Sequence, residues 1–446
     1  MSEPVPPDAA EPDRPAALER RLALDRGLEG LGCAALAVIA SSGRDPDLAP
    51  WVGGADVGRS VLVLPRGSPP RLAYPTPMER AEAAATGLAL VAPEALGLPE
   101  LARTGAGEAE ELTVKLRGAL GAAGVVPSRV ALTGFAPAGV AFAACQALVA
   151  EGWSFVPGGG LARWLRKAKT ASELEGIRRA AAGAVAAFRR VAGCLAAALP
   201  EDGGGGGCRG GGGGGSALGG RGGAGARLIL GGEPLTAGRL RAEAAAELAM
   251  RGLGLPEGSI VAAGADGTVP HSRGDDARVV RAGESLIVDL FPRGALWADC
   301  TRTLCFGPPP PALAAAHEAV CAAQAAAAAA AASGVRAWDL QLAACGVFEQ
   351  RGYATPVSTP DTTHGYVHNL GHGVGYELHE LPSFRKESGA EGVLGVGDVL
   401  TLEPGLYEPG EGWGVRVEDL FWLGAEGLER LTDLPRELDP RAYAGC

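Results

Sequence analysis

Short apolar runs alternate with helical patterns in the first third of the chain. The runs ALAVIASS, SVLVLP, LALVAP and RVALTGF are separated by stretches with helical spacing, such as ELTVKLRGALGAAG and PAGVAFAACQALVAEG. This alternation predicts an α/β domain with a mixed sheet. Residues 1–15 are rich in proline and acidic residues, which predicts a disordered leader, so we assign 16–163 to this domain.

The pattern changes near GGGLARWLRKAKTASELEGIRRAA, and we place the start of a second domain, 164–446, in this segment. Thr170 and Ser172 precede acidic residues that suit a helix N-terminus, and the helical pattern continues to about Leu199. The glycine-rich run at 203–225 lacks the Lys-Ser/Thr pair of a phosphate-binding loop. A flexible insertion is therefore the better interpretation of this run.

Helices and paired strands alternate in the rest of the second domain. The segment LTAGRLRAEAAAELAMRGLG has the spacing of an amphipathic helix. Two apolar runs in ESLIVDLFPRGALWADCTRTLCFG flank a Pro-Arg-Gly turn, which predicts a β-hairpin. Helical patterns at about 311–332 and 336–352 precede the final strands. Helix followed by paired strands thus occurs twice, which suggests an internal duplication.

Bulk composition limits the classes of function. The 446 residues allow two or three domains, and 47% hydrophobic with 20% charged residues is an ordinary globular balance. The net charge of −11 disfavours nucleic acid and anionic membranes as partners. The acidic start has no signal-peptide pattern, and the alanine-rich stretch around 322–333 favours a helix over a membrane span, so we expect a cytoplasmic protein. The nine cysteines contain no CxxC pair and are expected to be reduced.

Histidines are concentrated in one short stretch around NLGHGVGYELHEL. Of the six histidines, His364, His368, His372 and His379 lie within sixteen residues. One histidine in an apolar segment is usually a core residue, but a cluster is not explained that way. Glycines on both sides of His372 let the backbone approach a neighbour that a side chain would block. The stretch therefore indicates a metal site.

Four carboxylates stand in apolar, strand-like runs, where an ionised acid is costly unless it is paired or bound to a metal. Asp289 and Asp299 lie on opposite arms of the predicted hairpin, and Glu403 and Glu418 lie in VLTLEPGLY and WGVRVEDLFWL. A single acid at a strand end is more often a turn residue or a cap, but two such acids would repel each other without a cation between them. Alternation also places Arg416 on the same face as Glu418.

Four carboxylates and one imidazole are sufficient for two divalent ions that share bridging oxygens. Such ion pairs hold a water or hydroxide ready for attack. Oxygen-rich ligation with a single histidine favours Mn²⁺, Co²⁺ or Fe²⁺ over a structural zinc site.

The order Asp, Asp, His, Glu, Glu, with HGVGYELHE, LEPG and VRVED, resembles the metallopeptidases of the pita-bread fold. This family includes aminopeptidase P, prolidase and methionine aminopeptidase, with creatinase as a metal-free relative. The resemblance covers roughly residues 165–435. It implies a creatinase-like α/β N-terminal domain followed by an α+β pita-bread catalytic domain. The glycine-rich run is foreign to the family, and the hairpin arm between the two aspartates is shorter than usual.

The resemblance also implies a ligand set for two divalent metal ions, most often Mn²⁺, with Co²⁺, Fe²⁺ or Zn²⁺ as alternatives. Asp299 and Glu418 would bridge the ions. Asp289 would complete one site, and His372 with Glu403 would complete the other.

Further residues take substrate-side roles by the same resemblance. His271 matches the family's substrate-side histidine, and His379 matches the one that contacts the scissile carbonyl. His368 and Arg416 match residues that line the prolyl-peptide site. Glu403 matches the proton carrier between water and the leaving amine.

The intact ligand set and the large preceding domain narrow the choice within the family. They disfavour a creatinase-like enzyme and a methionine aminopeptidase, respectively. The resemblance therefore implies an Xaa-Pro aminopeptidase that acts on proline-containing peptides as a homodimer. A prolidase restricted to dipeptides is the first alternative, and a catalytically silent peptide-binding homologue is the second.

Overall fold

The computed structural model describes residues 14–201 and 225–443. The predicted leader, 1–15, and the predicted insertion, 203–225, lie almost wholly outside the described residues.

The chain divides into two compact units, Met1–Glu173 and Leu174–Cys446. The boundary predicted from the sequence, 163/164, falls inside the helix Gly159–Leu165.

The first unit contains one six-stranded mixed sheet, as the sequence predicts. Its strands are β1 (Ala35–Ile39), β2 (Val61–Pro65), β3 (Arg71–Ala73), β4 (Ala89–Val91), β5 (Arg129–Thr133) and β6 (Ser154–Pro157). The spatial order is β4-β3-β2-β1-β5-β6, with β1 antiparallel to β2 and parallel to β5. The helices are α1 (Arg14–Leu31), α2 (Ala49–Val52), α3 (Arg80–Ala85), α4 (Leu98–Arg103), α5 (Glu108–Ala122), α6 (Ala138–Val149) and α7 (Gly159–Leu165). All five residues of β1 are buried, as expected for a strand with helices on both faces.

The second unit is built from long helices and short antiparallel sheets. The helices are α8 (Ala171–Ala196), which begins just before the unit boundary, α9 (Ala237–Met250), α10 (Pro311–Ala330) and α11 (Ala337–Gln350). The strands are β7 (Leu199–Pro200), β8 (Leu228–Leu230), β9 (Glu233–Pro234), β10 (Ile260–Ala263), β11 (Leu286–Leu290), β12 (Cys300–Leu304), β13 (Val399–Leu402), β14 (Gly405–Glu408), β15 (Trp413–Arg416), β16 (Asp419–Gly424) and β17 (Gly427–Arg430). The predicted hairpin is confirmed as β11 and β12, and the two predicted late helices are confirmed as α10 and α11.

The two largest hydrophobic cores of the described part of this unit lie on its helices. One packs α8 and α9 against the sheet β10-β11-β12, and the other packs α10 and α11 against β13 to β16. Among the described helices α10 is long and apolar enough to cross a membrane by length and composition alone. However, Leu313, Val320 and Ala327 on this helix are buried in the second core, which is typical of the core helix of a globular protein.

Candidate metal centre

The hairpin positions the first two carboxylates on one face. Asp289 on β11 is paired with Thr301 on β12, and Asp299 lies two residues before Thr301. Because alternate residues of a strand share a face, the two aspartates lie diagonally across the hairpin rather than directly opposite each other. Both side chains are buried, with 8% and 5% exposure.

Thr301 also connects the hairpin to the segment that carries Glu418. The Thr301 hydroxyl donates to Glu418 Oε2 over 2.7 Å, and the Glu418 amide donates to the Thr301 carbonyl over 3.0 Å. Val415 and Val417 enter the second core, while Arg416 donates from Nη2 to Asp289 Oδ2 over 2.7 Å. The predicted alternation is therefore confirmed, and Arg416 and Glu418 face the same interior cluster.

The glycine-histidine stretch runs antiparallel to β13 without being a regular strand itself. The Thr401 amide donates to the His372 carbonyl over 2.9 Å, and the Glu403 amide donates to the Leu370 carbonyl over 2.7 Å. This pairing brings His372 beside Glu403. His372 Nε2 lies 3.5 Å from Glu403 Oε1 and 3.6 Å from Asp299 Oδ2.

The two glycines beside His372 are sterically required. A Cβ on Gly371 would lie 2.0 Å from the Thr401 carbonyl oxygen, and a Cβ on Gly373 would lie 2.0 Å from the Leu381 carbonyl oxygen. Real Cβ atoms are not found that close to backbone oxygens. The close backbone approach expected from the sequence is thus confirmed, and it fixes the position of the imidazole.

The hydrogen bonds of His372 assign its tautomer. Nδ1 lies 3.1 Å from the Gly373 carbonyl oxygen, which can only accept, so Nδ1 carries the proton. The lone pair of Nε2 then faces the carboxylates, as in metal-binding histidines held by a backbone carbonyl. Burial, with His379 nearby, lowers the pKa of His372 to about 3, so the ring is neutral at physiological pH.

Three buried carboxylate oxygens in the cluster have no hydrogen-bond donor among the described residues: Asp289 Oδ1, Asp299 Oδ1 and Glu418 Oε1. Burial and the neighbouring carboxylates raise the pKa of Asp299 and of Glu418 well above their usual values. Burial also raises the pKa of Glu403 to about 8. These acids disfavour one another's charge, and a divalent cation among them would reverse that effect.

The donor set therefore fits a metal ion. Single ligand atoms of Asp299, His372 and Glu418 all lie within 4.8 Å of one another. Asp289 and Glu403 adjoin these three. All five sequence-predicted ligands are brought together from four separate segments of the second unit.

A second chain of polar contacts leads away from this cluster. His368 Nδ1 donates to the Asn369 carbonyl over 2.7 Å, so Nε2 accepts from the Tyr407 hydroxyl at 3.0 Å. Arg416 Nη1 donates to the same hydroxyl oxygen over 2.8 Å and also to the Pro270 carbonyl over 3.0 Å. Burial, with Arg416 nearby, lowers the pKa of His368 to about 3.

The remaining predicted histidines lie at the exposed side of the cluster. His379 and His271 are both exposed, and the rings of His379 and His372 have their centroids 4.1 Å apart. Partial desolvation, followed by the charge of nearby His271, lowers the pKa of His379. His271 also contributes to the lowered pKa of His368, so His271, His368, His372 and His379 lie around one site.

Sequence reasoning missed Tyr407 and Thr301, which hold Arg416 and Glu418 in place. A tyrosine or a threonine in a strand is ordinarily a packing residue, and no signal in the sequence separates these two from others.

Comparisons with known proteins agree with this geometry. The model of metallopeptidase family M24 matches residues 175–425. An Xaa-Pro dipeptidase of Pyrococcus furiosus is 36% identical over 215 residues, which are 46% of this chain and 57% of that protein. An Xaa-Pro dipeptidase of Lactobacillus delbrueckii subsp. lactis is 34% identical over 181 residues, which are 40% of this chain and 46% of that protein. The alignments thus span about half the length of these curated relatives.

Solved structures share the fold over nearly the whole chain. The prolidase from Pyrococcus horikoshii has a TM-score of 0.66 at 21% identity and covers 94% of this chain and 99% of its own. The X-Pro aminopeptidase from Thermotoga maritima has a TM-score of 0.66 at 21% identity and covers 92% of this chain and 99% of its own. The predicted fold, an α/β domain followed by a pita-bread domain, is confirmed. Since the family match also covers more than half of the sequence, the chain belongs to metallopeptidase family M24.

Proposed function

We propose that this protein hydrolyses the peptide bond between an N-terminal residue and proline, with the aid of two divalent metal ions. The observation that carries the proposal is the convergence of four carboxylates and one imidazole in a cluster where three buried carboxylate oxygens have no hydrogen-bond donor among the described residues. The names of the relatives, Xaa-Pro dipeptidases, supply the substrate class.

The residues that would hold the ions are Asp289, Asp299, His372, Glu403 and Glu418. We propose Mn²⁺ as the native metal, with Co²⁺, Fe²⁺ or Zn²⁺ as alternatives, because the set is rich in oxygen and has one imidazole. Bound divalent ions polarise a carbonyl and lower the pKa of water at such a site.

The other polar residues act on the substrate directly. His379, whose pKa is lowered, is neutral near pH 7 and offers an N–H to the oxygen of the scissile carbonyl, with His271 beside it. One such donor contributes about 2.7–4 kcal/mol to transition-state stabilisation. Glu403, which would also hold a metal ion, would move a proton toward the leaving amine. His368 and Arg416 would line the pocket for the prolyl residue.

The length of the substrate separates two versions of this activity. The sequence motifs favour an Xaa-Pro aminopeptidase, and the names of the relatives favour a dipeptidase. The homodimer and the cytoplasmic location stay predictions from the sequence.

The test is hydrolysis of Ala-Pro and Ala-Pro-Ala by protein loaded with Mn²⁺, with His372→Ala as the control. Release of alanine from the tripeptide by the wild type alone would establish an aminopeptidase. Cleavage of the dipeptide alone would establish a prolidase. If both peptides stay intact with Mn²⁺, Co²⁺ and Zn²⁺, the proposal is wrong and the silent peptide-binding homologue takes its place.

A further inference from the structure

One buried polar side chain interrupts the apolar face of α10. The buried positions of this helix are alanine, leucine and valine, apart from Gln324, which is completely buried. The Gln324 side-chain amide donates from Nε2 to the Leu402 carbonyl over 2.9 Å and to the Val417 carbonyl at 3.3 Å. Because both partners are acceptors, the nitrogen of the amide must face them.

These two carbonyls belong to the residues that directly precede Glu403 and Glu418. Leu402 ends β13, and Val417 lies between β15 and β16, so the two segments are not consecutive. A single amide group therefore connects the backbones from which both glutamates project.

Only the nitrogen end of the Gln324 amide is hydrogen-bonded among the described residues. The Gln324 Oε1 atom is buried and has no hydrogen-bond donor among the described residues. A buried polar atom without a partner costs about 1–3 kcal/mol. An apolar residue of the same size would avoid that cost but would leave the Leu402 and Val417 carbonyls without this donor, so the benefit of Gln324 lies in what its nitrogen holds.

We propose that Gln324 is a positioning residue that fixes the separation of the Glu403 and Glu418 carboxylates and thereby sets the affinity of the site for divalent metal. This inference rests on the proposed function, which assigns both carboxylates to the metal. Partners that orient metal ligands typically change metal affinity by about 10–100-fold when they are removed.

The experiment measures Mn²⁺ binding to the full metal-free chain by isothermal titration calorimetry. Gln324→Met keeps the length and volume of the side chain but removes the donor, and Gln324→Asn keeps an amide that is too short to reach both carbonyls. Val320→Ala is the matched control, because Val320 is fully buried on the same helix and in the same core. Thermal unfolding of each metal-free variant reports its stability.

Both Gln324 variants are expected to weaken Mn²⁺ binding by about 10-fold or more, while Val320→Ala loses stability and keeps the wild-type affinity. Unchanged affinity in both Gln324 variants would overturn the positioning role and leave the proposed function intact. An equal loss of Mn²⁺ affinity in Val320→Ala would also overturn it, since any destabilisation of this core would then weaken metal binding. Failure of the wild type to bind Mn²⁺, Co²⁺ and Zn²⁺ would overturn both proposals.

Discussion

Glu418 and Asp419 are neighbours in the chain and are equally buried, with 1% and 0% exposure, but they face opposite sides of the β-structure. On the Glu418 side, the carboxylate receives one hydrogen bond, from Thr301, and its Oε1 atom has no donor among the described residues. Burial and the nearby carboxylates, Glu403 first and Asp289 second, raise its pKa well above the usual value.

On the Asp419 side, the carboxylate is surrounded by donors. Oδ1 accepts from Arg302 over 2.5 Å and from the Thr432 hydroxyl over 2.9 Å, and Oδ2 accepts from Arg436 over 3.1 Å. Burial alone would raise the pKa of Asp419, but the Arg302 guanidinium reverses this and holds it below the usual value.

The difference between these two acids separates a structural carboxylate from a proposed metal ligand. Burial is common to both, so burial does not mark a functional site. What distinguishes them is the source of the counter-charge, which the arginines of the protein supply for Asp419 and which, under the proposed function, a bound metal ion would supply for Glu418. Removing either counter-charge tests this distinction.

The largest effect is expected from Arg302→Met. The substitution leaves Asp419 buried without its main cation, and breaking a buried pair in this way costs about 3–5 kcal/mol. Urea unfolding of the metal-free chain measures this loss. Arg178→Met is the control, because Arg178 pairs with Glu429 at an exposed position and such pairs contribute about 0–1 kcal/mol. A loss below 1 kcal/mol in Arg302→Met would contradict the structural role.

In contrast to Arg302→Met, Glu418→Gln should not destabilise the metal-free chain. Removing this charge relieves repulsion in the metal-free chain, so the free energy of unfolding should stay the same or rise. Mn²⁺ at 100 times its Kd should stabilise the wild type by about 2.7 kcal/mol, and this gain should vanish in the variant. Differential scanning calorimetry with and without Mn²⁺ measures both quantities. A metal-free variant that is clearly less stable than the wild type would mean that Glu418 is structural, like its neighbour.

The pH dependence of the metal-free chain gives a third test. Between its ordinary value of 4.5 and about 8, Glu403 keeps a proton in the folded chain that the unfolded chain has lost, so stability falls as the pH rises. Asp299 and Glu418, whose pKa values are also raised, act in the same direction. His368 and His372, with pKa values lowered to about 3 from 6.5, act in the opposite direction, but only below pH 6.5.

From pH 6.5 to about 8 the acids therefore dominate, and the metal-free chain should lose up to about 1.4 kcal/mol per pH unit for each proton released. Urea unfolding at several pH values measures the slope. Glu403→Gln should flatten it. A slope of the opposite sign in the wild type would show that the acids do not repel one another as the geometry indicates.

The sequence predicted the parts of this arrangement that depend on local pattern. Alternation along short strands places Arg416 and Glu418 on one face, and the steric need for glycine beside His372 follows from backbone geometry. The Arg302–Asp419 pair joins residues 117 positions apart, and nothing local distinguishes Arg302 from an exposed strand arginine. The roles of Gln324 and Tyr407 were not predicted for the same reason, because their partners are set by tertiary packing and not by spacing along the chain.

The smallest effect is expected from Tyr407→Phe, which tests whether Arg416, a positive charge that the protein itself places beside the cluster, contributes to metal binding. Arg416 pairs with Asp289, and the Tyr407 hydroxyl connects this arginine to His368. Because Arg416 keeps its bonds to Asp289 and to the Pro270 carbonyl, loss of the hydroxyl should cost only about 1 kcal/mol in urea unfolding.

Tyr353→Phe is the control, since this half-buried tyrosine packs its ring on Phe348 away from the cluster and should show almost no change. Mn²⁺ affinity should be unaffected in both variants, because neither hydroxyl touches an unpaired carboxylate oxygen. If Tyr407→Phe weakened Mn²⁺ binding as strongly as Glu418→Gln, the contacts among Arg416, Tyr407 and His368 would be part of the metal centre. The contrast between an acid neutralised by arginine, as Asp419 is, and an acid neutralised by a bound metal, as proposed for Glu418, would then not hold within the site.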